Sequence, residues 1–191
     1  MKSHFFAYLS RLRFISRWAL MRNTATENVQ EHSHQAAVLA HALGIIRNQR
    51  FGGHVDAGAV AVAALYHDAS EILTGDMPTP IKYFNPSIRS AYKEVEAVAN
   101  RKLLEMLPPE LQSSYEPILE IPDPEIRVLV KAADKLSAYI KCVEEVKAGN
   151  GEFRDAAQQT RAALEEFGLP EVTYFLDTFM DSFSLTLDEL K

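Results

Sequence analysis

An all-α bundle of six to eight helices is what this sequence predicts, and three observations carry the prediction. Apolar residues recur at alternating spacings of three and four through almost every long segment. Clusters of Gly and Pro fall between those segments. Strand-like alternation occurs at Phe183-Ser184-Leu185-Thr186-Leu187, with no second run to pair it. No repeat, low-complexity tract or Gly/Ser linker divides the 191 residues, so 1–191 is taken as one domain.

The first clear helix starts at Asn28, where Asn28 and Glu31 form a capping-box pattern ahead of the stripe Val29, His32, Ala36, Leu39, Leu43, Ile46. It should stop at Gly52-Gly53. A second, N-capped by Asp56, runs through Val60, Ala64, His67 and Glu71 to Gly75. Asp76-Met77-Pro78-Thr79-Pro80 cannot lie inside a helix, because its prolines lack donors and push their predecessors toward extended geometry; a stiff loop is expected. Helices follow over 86–107 and from Pro108-Pro109 to about Glu120. The most strongly patterned helix, Pro124 to Ala148, ends at Gly149-Asn150-Gly151. Two more, 152–167 and 171–181, precede the alternating tail.

Composition narrows the function. With 47% hydrophobic and 24% charged residues, the chain can bury a core without disulfides or structural metal. Its one cysteine, Cys142, is read as a buried helical thiol, which fits a reducing compartment, the cytoplasm. Arg11, Arg13 and Arg17 interrupt any signal-peptide core. The longest run without charge or amide, Ala57 to Tyr66, is far short of the ~18 residues a membrane span needs. A net charge of −6 argues against general nucleic-acid affinity, although residues 1–50 carry +5 and the remainder −11.

On an apolar stripe the informative residues are polar, because a charge taken from water is costly unless compensated. His32 sits on the stripe between Val29 and Ala36, His67 and Asp68 near the end of an apolar helix, and Asp134 one turn after Val130. Singly, each has an ordinary explanation: a satisfied helix histidine, or an aspartate paired with Lys131 or Lys135. Together, two imidazoles and two carboxylates without a thiolate make a ligand set for a catalytic divalent metal rather than structural zinc. His34 and His41 face other sides of the same helix and are read as structural; His4 and His54 are read as exposed.

Glu31-His32-Ser33-His34, the His67-Asp68 doublet followed by Ala69-Ser70-Glu71, and Asp134 resemble the H…HD…D pattern of HD-domain metal-dependent phosphohydrolases. Arg17-Trp18, Thr26-Glu27-Asn28-Val29, Leu65-Tyr66-His67-Asp68, and Thr74-Gly75-Asp76-Met77-Pro78-Thr79-Pro80 resemble the bacterial 5'-deoxynucleotidase branch. The resemblance is densest over residues 4–85; in the last third Lys131 to Tyr139 is its main point of contact.

That resemblance implies an HD-type domain binding one divalent ion through His32, His67, Asp68 and Asp134, with cobalt or manganese ahead of zinc. Such an ion lowers the pKa of water from 15.7 toward roughly 7 and polarises a phosphoryl oxygen. The implied reaction is hydrolysis of a deoxyribonucleoside 5'-monophosphate to deoxyribonucleoside and phosphate. Glu71, four residues after His67, would reach the metal-bound water if the helix persists, and is assigned general acid/base duty. Arg17 would clamp the phosphate as a catalytic and binding residue. Trp18 and Asp76 would lie around the sugar, where a carboxylate accepting from the 3'-hydroxyl and an indole crowding C2' favour deoxyribose. Asp68, Asp134, Met77, Pro78 and Thr79 complete the implied substrate contacts. Without the resemblance, Arg17 is a surface charge, Trp18 a core aromatic and Glu71 a solvated carboxylate.

Two other readings remain at this stage. A related phosphohydrolase could act on triphosphates or cyclic nucleotides, but no further Lys/Arg cluster lies on the motif helices to receive the charge. A non-catalytic nucleotide-binding module would not require Glu71 beside an intact ligand set. A homodimer is implied by the resemblance; Tyr174, Phe175, Phe179 and Phe183 offer apolar surface for an interface or, equally, for the core.

Overall fold

The computed structural model describes residues 2–82 and 84–190. Among the described residues ten α-helices run in order: α1 (Phe5–Leu9), α2 (Val29–Phe51), α3 (Ala57–Tyr66), α4 (Glu71–Thr74), α5 (Thr79–Lys82), α6 (Pro86–Glu105), α7 (Pro109–Glu120), α8 (Pro124–Lys147), α9 (Arg154–Glu166) and α10 (Pro170–Phe179). Short 3-10 turns cover Ser10–Phe14, Gly151–Phe153 and Met180–Ser184. Among the described residues no strand forms, and the helices of ten residues or more number seven, within the expected six to eight.

Helix starts follow the capping chemistry of the sequence. Asn28 Oδ1 accepts from Glu31 N at 3.0 Å while Glu31 Oε2 accepts from Asn28 N at 3.1 Å, the reciprocal box expected for α2. Asp56 and Asp123 cap α3 and α8 by accepting from Ala59 N and Glu125 N. Gly52 ends α2 with a φ of 69°, a left-handed turn that glycine adopts without a Cβ clash.

Helices α2, α3 and α8 pack against one another, with α10 on α2 and α9 on α8. Leu43, Val60, Leu129, Leu136 and Ile140 are fully buried among them. Gly44 sets how closely α2 approaches α3, because a Cβ there would lie 3.0 Å from the Ala57 Cβ. A second cluster joins Phe5 of α1 to Leu103, Leu107 and Leu119 around α6 and α7, and Ala69 brings the segment after α3 into it. Ala69 lies on the same turn as His67 and Asp68. Cys142 is buried, as expected. No helix among the described residues is long and apolar enough to cross a membrane.

Several expectations are corrected. The second helix does not run from Asp56 to Gly75: α3 stops at Tyr66, residues 67–70 form a tight turn, and α4 restarts at Glu71. The Ala64 carbonyl, which a continuous helix would offer to Asp68 N, accepts instead from His67 Nδ1 at 2.7 Å and His67 N at 3.5 Å. Three-residue bonds such as Ala69 N to Tyr66 O and Glu71 N to Asp68 O then replace the α ladder. The stiff loop is shorter than expected, since Thr79 opens the single turn of α5 with Pro80 at its second position, where a missing donor costs nothing. The alternating tail is not extended at its start, because Phe183 and Ser184 belong to a 3-10 turn. Of the C-terminal aromatics, Phe175 is buried in the main core, Tyr174 and Phe183 pack against it, and Phe179 is 41% exposed.

Candidate active site

Two helices and one turn converge on a polar cluster. His32 arrives from the first turns of α2 and is fully buried; His67 and Asp68 come from the turn after α3; Asp134 comes from the middle of α8. His32 Nε2 lies 3.1 Å from Asp134 Oδ1 and 3.5 Å from Asp68 Oδ2. His67 Nε2 lies 3.1 Å from Asp68 Oδ2 and 3.9 Å from Asp134 Oδ1. His32, His67 and Asp68 each place a ligand atom within 4.8 Å of the others, and Asp134 closes the group from the α8 side.

The far side of each imidazole fixes what the near side can do. His67 Nδ1 faces the Ala64 carbonyl, which only accepts, so Nδ1 carries hydrogen. Ser137 Oγ donates to Gln35 Oε1 at 2.8 Å and so accepts from His32 Nδ1 at 3.1 Å. Each ring therefore turns its Nε2 toward the carboxylates, as a metal ligand would, and both Nε2 atoms are buried without a hydrogen-bond partner. Buried nitrogens without a hydrogen-bond partner, facing anionic oxygens, form a donor set that fits a divalent metal. Without that ion the electrostatics substitute a proton. Burial works to lower the His67 pKa, but Asp68 and Asp134 overcome it and raise it to about 9. Burial would likewise raise Asp68, yet His67 and His32 hold it at about 2, and the histidines and Arg17 keep Asp134 below the usual carboxylate range.

Glu71 behaves in the opposite way. The turn at 67–70 keeps it beside the cluster although the helix breaks, and its buried Oε2 has no hydrogen-bond partner. Burial, followed by repulsion from Asp68 and Asp76, pushes its pKa up to about 10. Half-buried Asp76 is also raised, by burial and by Asp68, against the pull of Arg17. Met77 and Pro78 are half-buried beside it, and Thr79 is exposed.

Arg17 approaches from the segment before α2. Its Nη1 lies 3.6 Å from Asp68 Oδ2 and its Nε donates to Glu27 Oε2 at 3.0 Å. Burial disfavours its charge, but Asp68, Asp134, Glu27 and Asp76 more than restore it. Trp18 is half-buried, with its ring 5.3 Å from that of Phe153. His34, His41, His4 and His54 are exposed, away from the buried His32. Sequence reasoning missed Gln35, Ser137 and the Glu27 side chain, which orient His32, Arg17 and Trp18. Glu27 lies within the Thr26-Glu27-Asn28-Val29 segment and Ser137 within Lys131 to Tyr139, where neither carries a role; Gln35 leaves no signal beyond being polar near a stripe.

The helical fold, with a mixed His/Asp group where α2, the 67–70 turn and α8 converge, is that of HD-domain phosphohydrolases. A crystal structure of an HD-domain phosphohydrolase from Listeria innocua matches with a TM-score of 0.81 at 24% identity, covering 94% of this chain and 88% of that one. The cyanophage S-2L HD phosphohydrolase DatZ, bound to dA and one catalytic Zn2+ ion, matches with a TM-score of 0.66 at 21% identity over 92% and 96% of the two chains. At higher similarity, the 5'-deoxynucleotidase of Vibrio vulnificus is 52% identical over 191 residues, spanning 99% of this chain and 98% of its own. The family model for 5'-deoxynucleotidase YfbR-like proteins matches residues 4–183, and the chain belongs to that family.

Proposed function

We infer that this protein is a metal-dependent 5'-deoxynucleotidase that hydrolyses deoxyribonucleoside 5'-monophosphates to deoxyribonucleosides and phosphate. The observation that carries the reading is the pair of buried Nε2 atoms, partnerless and aimed between two ionised aspartates. Membership of the YfbR-like family supports the substrate class.

His32, His67, Asp68 and Asp134 would hold one divalent ion, which when bound supplies a hydroxide at neutral pH and polarises the phosphoryl group. The mixed nitrogen and oxygen set accepts cobalt, manganese or zinc. Two ionised aspartates offset a dication, so the positive charge left facing a phosphate dianion is that of Arg17. Glu27 holds Arg17 Nε, so the outer guanidinium nitrogens are presented in a fixed orientation. Glu71, neutral near pH 7, adds no repulsion to the dianion and holds a proton for delivery to the departing 5'-oxygen. Asp76 would accept from the 3'-hydroxyl, Trp18 would crowd C2', and Met77, Pro78 and Thr79 would line the same loop, with Asp68 and Asp134 also facing the substrate phosphate. Residues 1–191 would act as one domain, in the cytoplasm and as a homodimer, for which exposed Val38 and Ile45 of α2 and Val62 and Leu65 of α3 offer apolar surface.

Phosphate release from matched deoxy- and ribonucleoside 5'-monophosphates, by chelator-stripped protein with cobalt, manganese, zinc or no metal, tests the reading. Metal-dependent release favouring the deoxy forms is expected. Release from neither sugar under any metal would overturn it, and turnover restricted to triphosphates or cyclic nucleotides would move the protein to another branch of the class.

A further inference from the structure

The segment from Ile15 to Val29 is a loop pinched at its neck. Arg17 N donates to the Glu27 carbonyl at 2.9 Å, Val29 N donates to the Ile15 carbonyl at 3.0 Å, and Ser16 and Asn28 face each other as an antiparallel bridge. Across that neck the Glu27 side chain folds back, and its Oε2 accepts from Arg17 Nε at 3.0 Å and from Trp18 Nε1 at 3.0 Å. Both ends of the Arg17–Glu27 pair are nearly nine-tenths shielded from water.

Trp18 has a φ of 57°, a left-handed backbone that a bulky residue keeps only when its surroundings over-determine it. Those surroundings are visible. The Trp18 carbonyl accepts from Met21 N and Asn23 Nδ2, and its ring rests on Phe153. The indole N–H, the one polar group of the side chain, goes to Glu27. An arginine counter-ion alone would need no second donor. Two neighbouring side chains bound to one oxygen instead share a single reference point, and neither can rotate without weakening the other's charge-assisted bond.

We propose that Glu27 is a positioning residue that couples phosphate recognition to sugar discrimination by holding Arg17 and Trp18 on one carboxylate oxygen. The proposal rests on the reading of Arg17 as the phosphate clamp and Trp18 as the sugar gate.

The chain has one tryptophan, so its fluorescence reports Trp18 alone, with or without metal and nucleotide. Wild type, Glu27→Ala and Glu27→Gln are compared; glutamine keeps the accepting oxygen and loses the charge. Glu27→Ala should red-shift the emission and raise acrylamide quenching, while Glu27→Gln stays near wild type. In turnover, Glu27→Ala should lower the deoxy-to-ribo ratio of kcat/KM about tenfold and raise KM for the deoxy substrate, the size expected for one lost charged hydrogen bond. Glu27→Gln should recover most of the ratio, and Glu27→Ala added to Trp18→Ala should leave the ratio where Trp18→Ala alone sets it. If alanine costs the fold, Glu27→Asp, too short to meet both donors, should give the same shifts. Unchanged emission and sugar ratio in a folded Glu27→Ala protein, or full additivity with Trp18→Ala, overturns the proposal. A wild type inert toward every nucleotide would instead defeat the functional reading, and the fluorescence would still decide whether Glu27 holds Trp18.

Discussion

Glu71 and His67 both hold protons at neutral pH, for opposite reasons, and each makes a separate prediction. Burial keeps Glu71 neutral, with a pKa of about 10, so it can give a proton that the ionised Asp68 cannot. Glu71→Gln preserves shape and neutrality but has no such proton. Its kcat should fall roughly 10²–10⁴-fold, the range for a lost general acid or base, while calorimetry finds metal and nucleotide affinity retained. Loss of metal in that variant would make Glu71 structural. His67 is protonated because two carboxylates attract the charge, and a metal ion must displace that proton from Nε2. The apparent metal dissociation constant should therefore drop about tenfold per pH unit up to about pH 9, with one proton released per ion bound. At this scale the ligand candidates were legible because they are polar where the stripe demands apolar residues. Ser137 and Gln35 were not, because their role comes from pairing across 105 and 102 residues of sequence.

At the scale of elements, periodicity and caps located α2, α6 and α8 but not the break after α3. The three-and-four spacing Val60, Ala64, His67, Glu71 continues through the break, and the imidazole that captures the Ala64 carbonyl is invisible to a pattern of hydrophobicity. The loop before α2 was equally hidden, since its anchor lies on α8. Buried Glu145 accepts from Thr24 N, Thr24 Oγ1, Ala25 N and Asn150 Nδ2, and it pairs with Lys141, which also donates to the Ala25 carbonyl. Glu145→Ala should cost about 3–5 kcal/mol of unfolding free energy, because it strands a buried ammonium and several donors. These bonds hold the Glu145 pKa below the usual carboxylate range although burial opposes them. A depressed folded pKa stabilises above the unfolded value of about 4.3 and loses that stabilisation as pH falls through the folded one. Denaturant melts of wild type should thus weaken below about pH 4.3, and the Glu145→Ala protein should show a smaller acid loss. Gly44→Val tests the α2–α3 contact: with the Ala57 Cβ only 3.0 Å from a new Cβ, about 1–3 kcal/mol should be lost to overpacking.

For the whole molecule, the ligand set ties α2 and α8, which pack together in the main core, to the 67–70 turn, which also reaches the second hydrophobic cluster through Ala69. An ion bound there favours the folded chain by mass action, by about 4 kcal/mol at a thousandfold excess over its dissociation constant. Chelation should therefore lower Tm reversibly, and cobalt, manganese or zinc should restore it. The gap must also depend on pH. In metal-free protein the folded His67 pKa of about 9 exceeds the unfolded value of about 6.5. A raised folded pKa stabilises fully below the unfolded value and is lost as pH rises through the folded one, so this contribution, about 3 kcal/mol, fades between about pH 6.5 and 9. Metal-loaded protein has no such proton to lose. Buried Glu71, raised to about 10, loses stabilisation with rising pH in both forms, so calorimetric scans across that window should show the stripped protein's Tm falling more steeply than the loaded protein's, and parallel curves would mean that His67 does not face the ion.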